Sequence, residues 1–453
     1  MSTHLRCGML FTALDVEARS NHTVVIEDGA FSYVGPTDGA PAAAQDDEVV
    51  DYSDRFVMPG LIDVHTHLAY GNAKTEEDID IYGAVEFKAI RGLNFAQRCL
   101  RNGYTSLANP GDASRVTLSI RNAIDAGLFV GPRITTAGPY VTSRQGLTDW
   151  YPTWIGQPVT SIGHLVHSPS EAIEEIRVQV KDGVDFIKFA MDGDKALDPT
   201  GVTEFGGLMA AFNQDETMAM FTEAHRLGKR VAVHARGAEA TLSSARASAD
   251  LIFHTSWMND EGLDAVLAND CALCPTLTLL YNNIEFSRPG DGAWPGYVDA
   301  NREEFEIACE VLTKARKAGA TFMTGTDSGF AITPYGEWHA REIEIFVKHL
   351  GFSPGEALRC ATFHAAKFLR NGSKLGAIEV GRWADMVIVN GDPLANVAVL
   401  QDPDAIDVVW LGGKIVDVDP AEPDPRLISD FSYNMWNDLY TRERVTELDG
   451  RNW

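Results

Sequence analysis

The feature that most constrains the fold is a long alternation of strand-like and helix-like segments. Short apolar runs recur from Leu61 to about Arg370, and amphipathic stretches such as Phe87–Arg101 lie between most of them. Eight such units over about 310 residues predict an α/β fold, a (β/α)8 TIM barrel. The candidate strands are Leu61–His67, Tyr104–Asn109, Arg133–Pro139, Asp185–Met191, Arg230–His234, Leu251–His254, Ala272–Leu277 and Thr321–Asp327.

The segments outside the barrel read as β structure. Residues 1–58 contain a hairpin pattern in which His22–Ile26 and Phe31–Gly35 flank a turn, and residues 371–420 hold further short strand-like runs. Each half alone lacks a core. We therefore expect one small β-sandwich domain built from both chain ends, with the barrel occupying residues 59–370.

Residues 421–453 form a C-terminal tail that is rich first in proline and charge and then in aromatic side chains. An exposed aromatic tail tends to dock on something, either its own domain or a neighbouring subunit, and both alternatives stay open. The tail leads us to expect a homo-oligomer. The aromatic residues are Phe431, Tyr433, Trp436, Tyr440 and Trp453.

Composition excludes several classes of partner. The 453 residues include 38 Lys and Arg against 64 Asp and Glu, a net charge of −26, which argues against binding to nucleic acid or an anionic membrane surface. There is no apolar run of about 18 residues and no signal core near Met1, so we expect a cytoplasmic protein. The pair Cys271-x-x-Cys274 is read as packed core, with a metal or redox pair as the alternative.

The first barrel strand carries the first candidate ligands. Pro59-Gly60 marks a turn, and the buried strand that follows ends in His65 and His67. Side chains alternate along a strand, so two histidines two residues apart project to the same side. Two converging imidazoles can grip a divalent metal, whereas the alternative is a pair of surface histidines near a loop.

Further ligand types stand at later strand ends. The ends of strands four, five, six and eight carry Lys188, His234, His254 and Asp327. Each alone has an ordinary explanation, such as a hydrogen-bonded loop histidine or an ion-paired lysine. Active sites of such barrels lie at the carboxyl ends of the strands. The whole set therefore predicts a site for one or two divalent metal ions.

Two motifs carry a family resemblance. The entry Pro59-Gly60-Leu61-Ile62-Asp63-x-His65-x-His67 and the closing Leu375-Gly376-Ala377-Ile378-Glu379-x-Gly381-x-x-Ala384-Asp385 resemble the amidohydrolase superfamily of metal-dependent hydrolases. The resemblance covers nearly the full chain. It implies that His65 and His67 hold one metal with Asp327, and that His234 and His254 hold a second.

The resemblance also implies that Lys188 is carbamylated by CO2 and bridges the two metals. A carbamate offers two anionic oxygens, and burial lowers a lysine pKa and frees the amine to react. Zinc is the default ion for such ligands, and Fe, Mn or Co would suit them as well. In the implied mechanism a metal-activated hydroxide attacks the substrate carbonyl, while Asp327 moves the proton to the leaving nitrogen. His254 or His339 would steady the oxyanion, unless His339 is a helix-surface or supporting residue.

The substrate is indicated only by the loops. Aromatic residues such as Tyr140, Trp154 and Trp338 follow strands three and eight, which suits an apolar or aromatic small molecule, although they could equally pack the loops together. A dipeptide is an alternative substrate, because either Arg144 or Arg236 could bind a substrate carboxylate.

Within the family, the chain looks most similar to the imidazolonepropionase and Xaa-Pro dipeptidase-related group. Phe186-Ile187-Lys188 and His339-Ala340-x-Glu342 support this placement. A narrower similarity is to hydrolases of phenylureas and of thiocarbamates such as molinate. The leading hypothesis is hydrolysis of a C–N bond in an amide, urea or carbamate such as a phenylurea. The alternatives are an Xaa-Pro-type dipeptidase, a cyclic-amide hydrolase and a non-catalytic scaffold, the last disfavoured by the complete ligand set.

Overall fold

Parallel strands form the centre of the molecule. The computed structural model describes residues 1–144, 146–193, 208–287, 296–427 and 438–449. The strands of the described chain are β1 Thr3–Phe11, β2 Ala18–Glu27, β3 Ala30–Pro36, β4 Glu48–Pro59, β5 Leu61–Asp63, β6 Tyr104–Asn109, β7 Arg133–Thr136, β8 Tyr140–Ser143, β9 Gly163–Val166, β10 Phe186–Ala190, β11 Arg230–Ala235, β12 Leu251–His254, β13 Ala272–Cys274, β14 Met386–Val389, β15 Ile406–Leu411 and β16 Lys414–Ile415.

Most helices follow barrel strands and cover the outside of the barrel. The helices are α1 Glu76–Asp80, α2 Val85–Arg101, α3 Val116–Asp125, α4 Pro169–Asp182, α5 Gln214–Arg226, α6 Ala238–Arg246, α7 Asp260–Ala268, α8 Leu277–Phe286, α9 Tyr297–Lys317, α10 Arg341–His349, α11 Pro354–Arg359 and α12 Arg442–Asp449. In the described part of the chain, no helix is long and apolar enough to cross a membrane.

The barrel closes through two parallel sheets and a final extended segment. One sheet has the order β5-β6-β7 and the other β13-β12-β11-β10-β8-β9. A backbone bond of 2.8 Å from Asp185 N to Thr136 O joins them on one side. On the other side Leu273 N bonds Thr321 O at 2.8 Å, and Val64 N bonds Thr324 O at 3.1 Å. The predicted TIM barrel is confirmed.

Three predicted strands differ from the structure. Of the predicted strand Arg133–Pro139, only Arg133–Thr136 is formed, as β7. The separate strand β8 begins after Pro139, which lacks the N–H that a continuous ladder needs. Thr321–Asp327 is extended but makes only isolated bridges, such as Leu273 to Phe322. The seventh strand, predicted as Ala272–Leu277, ends at Cys274, and helix α8 begins at Leu277.

Both chain ends share one seven-stranded sheet, as predicted. Its order is β16-β15-β14-β4-β1-β2-β3, with β4 paired to β1 in parallel and to β14 antiparallel. Asp385 of the closing motif ties this sheet to the barrel. Its carboxylate accepts hydrogen bonds from Arg133 Nε at 2.6 Å and Arg133 Nη2 at 2.9 Å.

Part of the tail docks on its own barrel. Trp338 Nε1 donates to Tyr440 O at 2.6 Å, and Tyr440 is buried beside Phe286 in a small apolar cluster. The other aromatic residues on which the docking prediction rested lie outside the described residues. They are Phe431, Tyr433, Trp436 and Trp453.

Candidate active site

The predicted ligand residues meet at the carboxyl end of the barrel, and all are buried. Ligand atoms of His65, His254 and Asp327 lie within 4.8 Å of one another. The ring of His67 is 5.0 Å from that of His65, and the ring of His234 is 4.6 Å from that of His254. Parallel register explains the second pair, since β10, β11 and β12 are neighbours whose strand ends lie side by side. Residues from distant strands thus form one compact cluster, which Lys188 completes.

The backbone is strained at three of these strand ends. His254, Thr276 and Asp327 have φ angles of 70°, 59° and 57°, in the left-handed region that residues with a β-carbon rarely adopt. Such conformations persist only where the surroundings impose them, and they concentrate at functional sites.

Hydrogen bonds fix the side of the cluster that comes from the first and eighth segments. His67 Nε2 lies 2.9 Å from Asp327 Oδ1, and Asp327 N donates to His65 O at 2.8 Å. The Thr276 hydroxyl donates to Cys274 O at 3.2 Å and therefore accepts from His65 Nδ1 at 2.9 Å. This bond leaves the Nε2 lone pair of His65 facing the cluster, as a metal ligand requires.

Burial favours the uncharged forms of the basic groups. It lowers the pKa of His65, His234 and His254 well below the usual value, and for the latter two the nearby Arg236 guanidinium lowers the pKa further. Neutral imidazoles have free lone pairs. Burial raises the pKa of Asp327, but the His65 and His67 imidazoles more than offset it and hold that pKa below its usual range. The cluster therefore offers neutral nitrogens and an ionised carboxylate.

The amine of Lys188 is buried and unsatisfied. Its side chain is 1% exposed, and within the described residues its Nζ has no hydrogen-bond partner. The amine sits 3.8 Å from the centre of the Phe253 ring. Burial lowers the pKa of Lys188 well below the usual lysine value, which favours the neutral amine. An orphaned amine beside imidazoles and a carboxylate fits a site completed by a bound group.

His339 lies on the other side of the barrel wall. Its Nδ1 is 2.7 Å from Asp63 Oδ2, and its Nε2 accepts from Gly336 N at 3.0 Å. Cys99 Sγ is 3.3 Å from the same Nε2. The structure does not bring His339 into the ligand cluster, so its contact with an oxyanion stays a prediction.

Aromatic rings line one side of the cluster. Tyr70 stacks on His67 with ring centres 4.2 Å apart, and Phe330 lies 5.3 Å from Tyr70. Tyr140, a predicted substrate-binding residue, is buried with its hydroxyl 3.3 Å from His67 Nδ1 and bonded to the Tyr70 hydroxyl. Tyr70 was not predicted from the sequence, although its position three residues after His67 placed it near the strand end.

The other residues predicted to bind substrate differ in exposure and in partners. Trp154 is 84% exposed on the loop after β8, and Arg144 is exposed at the end of that strand. Trp338 is buried against the Tyr440 segment instead. Arg236 is buried in an ion pair with Glu304, which also accepts from Ser256 Oγ at 2.7 Å.

Three groups support the cluster in ways that the sequence did not predict, although Glu342 was named in a family motif. Asp192 accepts from Arg236 N at 3.0 Å beside His234. Glu342 accepts from Leu277 N at 3.0 Å, at the start of α8. Thr276 orients His65 from a different strand. Cys271 and Cys274 are both buried and unbridged.

Comparisons with known proteins agree with this geometry. A family profile described as "Amidohydrolase family" matches residues 56–416. Ochratoxinase from Aspergillus niger is 25% identical over 435 residues, covering 91% of this chain and 86% of that protein. Imidazolonepropionase from Symbiobacterium thermophilum is 25% identical over 390 residues, covering 80% and 82%. The crystal structure of a Xaa-Pro dipeptidase with bound methionine in the active site is 27% identical with a TM-score of 0.80, covering 92% of this chain and 100% of that one.

The narrower likeness to herbicide hydrolases is weaker. The structures of molinate hydrolase and phenylurea hydrolase B are each 21% identical to this chain, with TM-scores of 0.74 and 0.67. They cover 92% of this chain and 94% and 97% of their own. At this identity the likeness is one of fold alone.

Proposed function

This chain belongs to the amidohydrolase family and is a metal-dependent hydrolase of C–N bonds, and we propose that it cleaves an amide-type bond in a small molecule that presents an aromatic or apolar group. The observation that carries the proposal is the buried Lys188 amine without a hydrogen-bond partner, beside neutral imidazoles and an ionised Asp327. The aromatic wall of Tyr70, Tyr140 and Phe330 supports the apolar substrate.

The residues fit one or two divalent ions. His65, His67 and Asp327 would hold one, His234 and His254 the other, and Lys188 would serve both as a carbamate. In that modification the neutral amine attacks CO2, a C–N bond forms and one proton leaves, so an anion replaces an unsatisfied amine. Zinc suits these ligands, and Fe, Mn or Co would bind them too.

A bound ion supplies Lewis-acid activation of water and of the substrate carbonyl. The chain's own residues do the rest. The Asp327 carboxylate, ionised and beside His67, takes a proton from the attacking water and returns it to the leaving nitrogen. The Tyr70 and Tyr140 rings exclude water from that side and orient an apolar substituent.

A second candidate is an Xaa-Pro-type dipeptidase. It is favoured by the 27% identity to a Xaa-Pro dipeptidase and by the exposed Arg144 at the carboxyl end of β8. Arg236 is a weaker candidate for a carboxylate partner, because Glu304 already pairs with it. A cyclic-amide hydrolase is supported by the likeness to imidazolonepropionase alone.

The deciding experiment combines metal analysis of the purified protein with hydrolysis of an N-acyl aniline, a phenylurea, a thiocarbamate and an Xaa-Pro dipeptide. We expect bound metal and release of aniline from the acyl aniline or the urea. If only the dipeptide is cleaved, the second candidate replaces the first. Arg144→Ala should then raise KM for the dipeptide, while Arg115→Ala, a control at an exposed arginine paired with Asp182, should not. A protein with no metal and no turnover contradicts both.

A further inference from the structure

Asp63 faces away from the ligand cluster. Its sequence neighbours Ile62 and Val64 pack inside the barrel with Phe186 and Phe253. The Asp63 carboxylate is instead directed toward Thr326 and His339, and the residue is buried. A buried carboxylate must be hydrogen-bonded, and this one makes four such contacts.

The Asp63 carboxylate joins the first strand to the eighth segment. Oδ1 accepts from His65 N at 2.8 Å and from Thr326 N at 3.3 Å. Oδ2 accepts from Thr326 Oγ1 at 2.6 Å. His65 is itself a ligand candidate, and Thr326 immediately precedes Asp327. One side chain thus fixes the spacing of the two backbones that deliver ligands to the same side of the cluster.

His339 completes the arrangement and sets its own tautomer. The Gly336 N–H can only donate, so the Nε2 that accepts it at 3.0 Å carries no proton in this arrangement. The ring proton is therefore on Nδ1, which donates to Asp63 Oδ2 at 2.7 Å. The ring also lies 4.8 Å from that of Tyr104, inside the protein. The imidazole has no approach to a substrate from this position.

We propose that His339 is a positioning residue that acts through Asp63. It holds the carboxylate that sets the separation of His65 and Asp327, and so controls how firmly one metal ion is retained. The inference rests on the proposed ligand set. It reassigns His339 from contact with the oxyanion to support of the metal ligands, and it predicts an effect on metal retention rather than on substrate affinity.

Two amide variants separate the two bonds of the ring. In His339→Asn the side-chain amide lies where Nδ1 was and can still donate to Asp63. In His339→Gln the side-chain amide lies where Nε2 was. It can accept the hydrogen bond from Gly336 but cannot donate to Asp63. We expect His339→Gln to release metal to a chelator about 10–100-fold faster, the usual cost of losing a partner of the metal ligands. Its kcat should fall in parallel with unchanged KM, and His339→Asn should retain most of both.

Equal metal release by the folded Asn and Gln variants, or release from His339→Gln at the wild-type rate, would overturn the inference. If either amide variant fails to fold, as judged by circular dichroism, Thr326→Val decides, because it removes one donor to Asp63 and keeps the backbone bond. It should release metal faster than wild type, and an unchanged rate rejects the proposal. A wild-type protein without metal overturns the proposed function itself. A metal-holding, active wild type with insensitive variants overturns only the role of His339.

Discussion

The two sides of the ligand cluster are built differently. On the side of His65, His67 and Asp327, protein hydrogen bonds already orient the ligands, and Thr276 presents the correct nitrogen of His65. On the side of Lys188, the polar atom is buried without a hydrogen-bond partner among the described residues. The first side is set by the chain alone. The second is incomplete until another group supplies what the amine lacks.

The contrast has a physical origin. The first and eighth segments pair through main-chain bonds next to the ligands, so their geometry costs no further ordering when a ligand arrives. Lys188 projects from the middle of a strand into a space bounded by the Phe253 ring, where a charged ammonium is penalised. Under the proposed function, CO2 and a metal ion would satisfy this buried amine.

Asp327→Asn should have the largest effect on activity. It removes a negative charge from the side of the cluster formed by His65 and His67, and it removes the group that we propose transfers the proton. We expect kcat to fall about 10²–10⁴-fold, as for loss of a general base. Steady-state kinetics on the metal-loaded enzyme measures this. Asp299→Asn, on the first turn of α9, serves as a control and should retain activity. A fall of less than tenfold would contradict the role of Asp327 in proton transfer.

Lys188→Ala should have the second largest effect on activity, on the side of the cluster where Lys188 lies. Loss of the bridging anion should cost several kcal/mol of electrostatic stabilisation, about 10²–10³-fold in kcat. Added propionate, a short carboxylate, should restore part of the activity by supplying the missing anion. Lys181→Ala, at an exposed position of α4, should respond to neither change. Full activity of Lys188→Ala without propionate would show that no carbamate is needed.

Thr276→Val tests whether the side of the cluster formed by His65, His67 and Asp327 depends on the hydrogen bond between Thr276 and His65. The hydroxyl that accepts from His65 Nδ1 is lost while the shape is kept, so metal affinity should fall about 10–100-fold. Competition with a chelator of known affinity measures the change. Thr278→Val should have less effect on metal affinity, since its hydroxyl contacts Glu342 and not a ligand. Equal effects of the two variants would show that general packing, not the bond to His65, matters.

Glu342→Gln probes stability next to Thr276. Burial raises the pKa of Glu342 to about 7, so the folded state binds a proton that the unfolded state releases near pH 4.3. The contribution of this group to the free energy of unfolding is greatest below the unfolded pKa and is lost as the pH rises to about 7. Melting temperatures of wild type should therefore fall more steeply from pH 5 to pH 8 than those of Glu342→Gln.

Glu344→Gln, on the same helix, is the control for this pH dependence. Burial raises the pKa of Glu344, but the bonds from Lys348 and Gln401 more than offset it and lower that pKa. Both its folded and unfolded values thus lie below pH 5. The slope between pH 5 and pH 8 should match that of wild type. A Glu342→Gln slope equal to that of wild type would mean that Glu342 does not retain its proton.

Trp154→Ala should have the smallest effect. The side chain is largely exposed, and surface changes usually alter stability by no more than about 0.5 kcal/mol. We expect kcat/KM to stay within about twofold of wild type. A tenfold loss would instead bring the loop after β8 into contact with the substrate and extend the aromatic wall to the mouth of the site.

The sequence predicted the family, the barrel and the shared sheet, all of which are confirmed. The period of the hydrophobic pattern predicts helices and strands, and the residues at predicted strand ends predict metal ligands. Both signals can be read from neighbouring residues in the sequence. The supporting roles of Thr276, Asp192 and Glu342 were not predicted, although Glu342 was named in a motif, because these residues act across distances in sequence that no local pattern records. The residues predicted for substrate binding were chosen by chemistry and by their place in loops after barrel strands. Trp338 packs on the Tyr440 segment, and its contact with a substrate stays a prediction.

The shared sheet has a consequence for how the chain is made. β4 is covered on one side by β1 early in synthesis, but its other edge pairs with β14, in which Val389 meets Phe56. A growing chain must therefore carry an open strand edge until nearly all of the barrel has left the ribosome. Truncation before Met386 would leave that edge exposed for good, so such fragments should aggregate through β4 even when their barrels are intact.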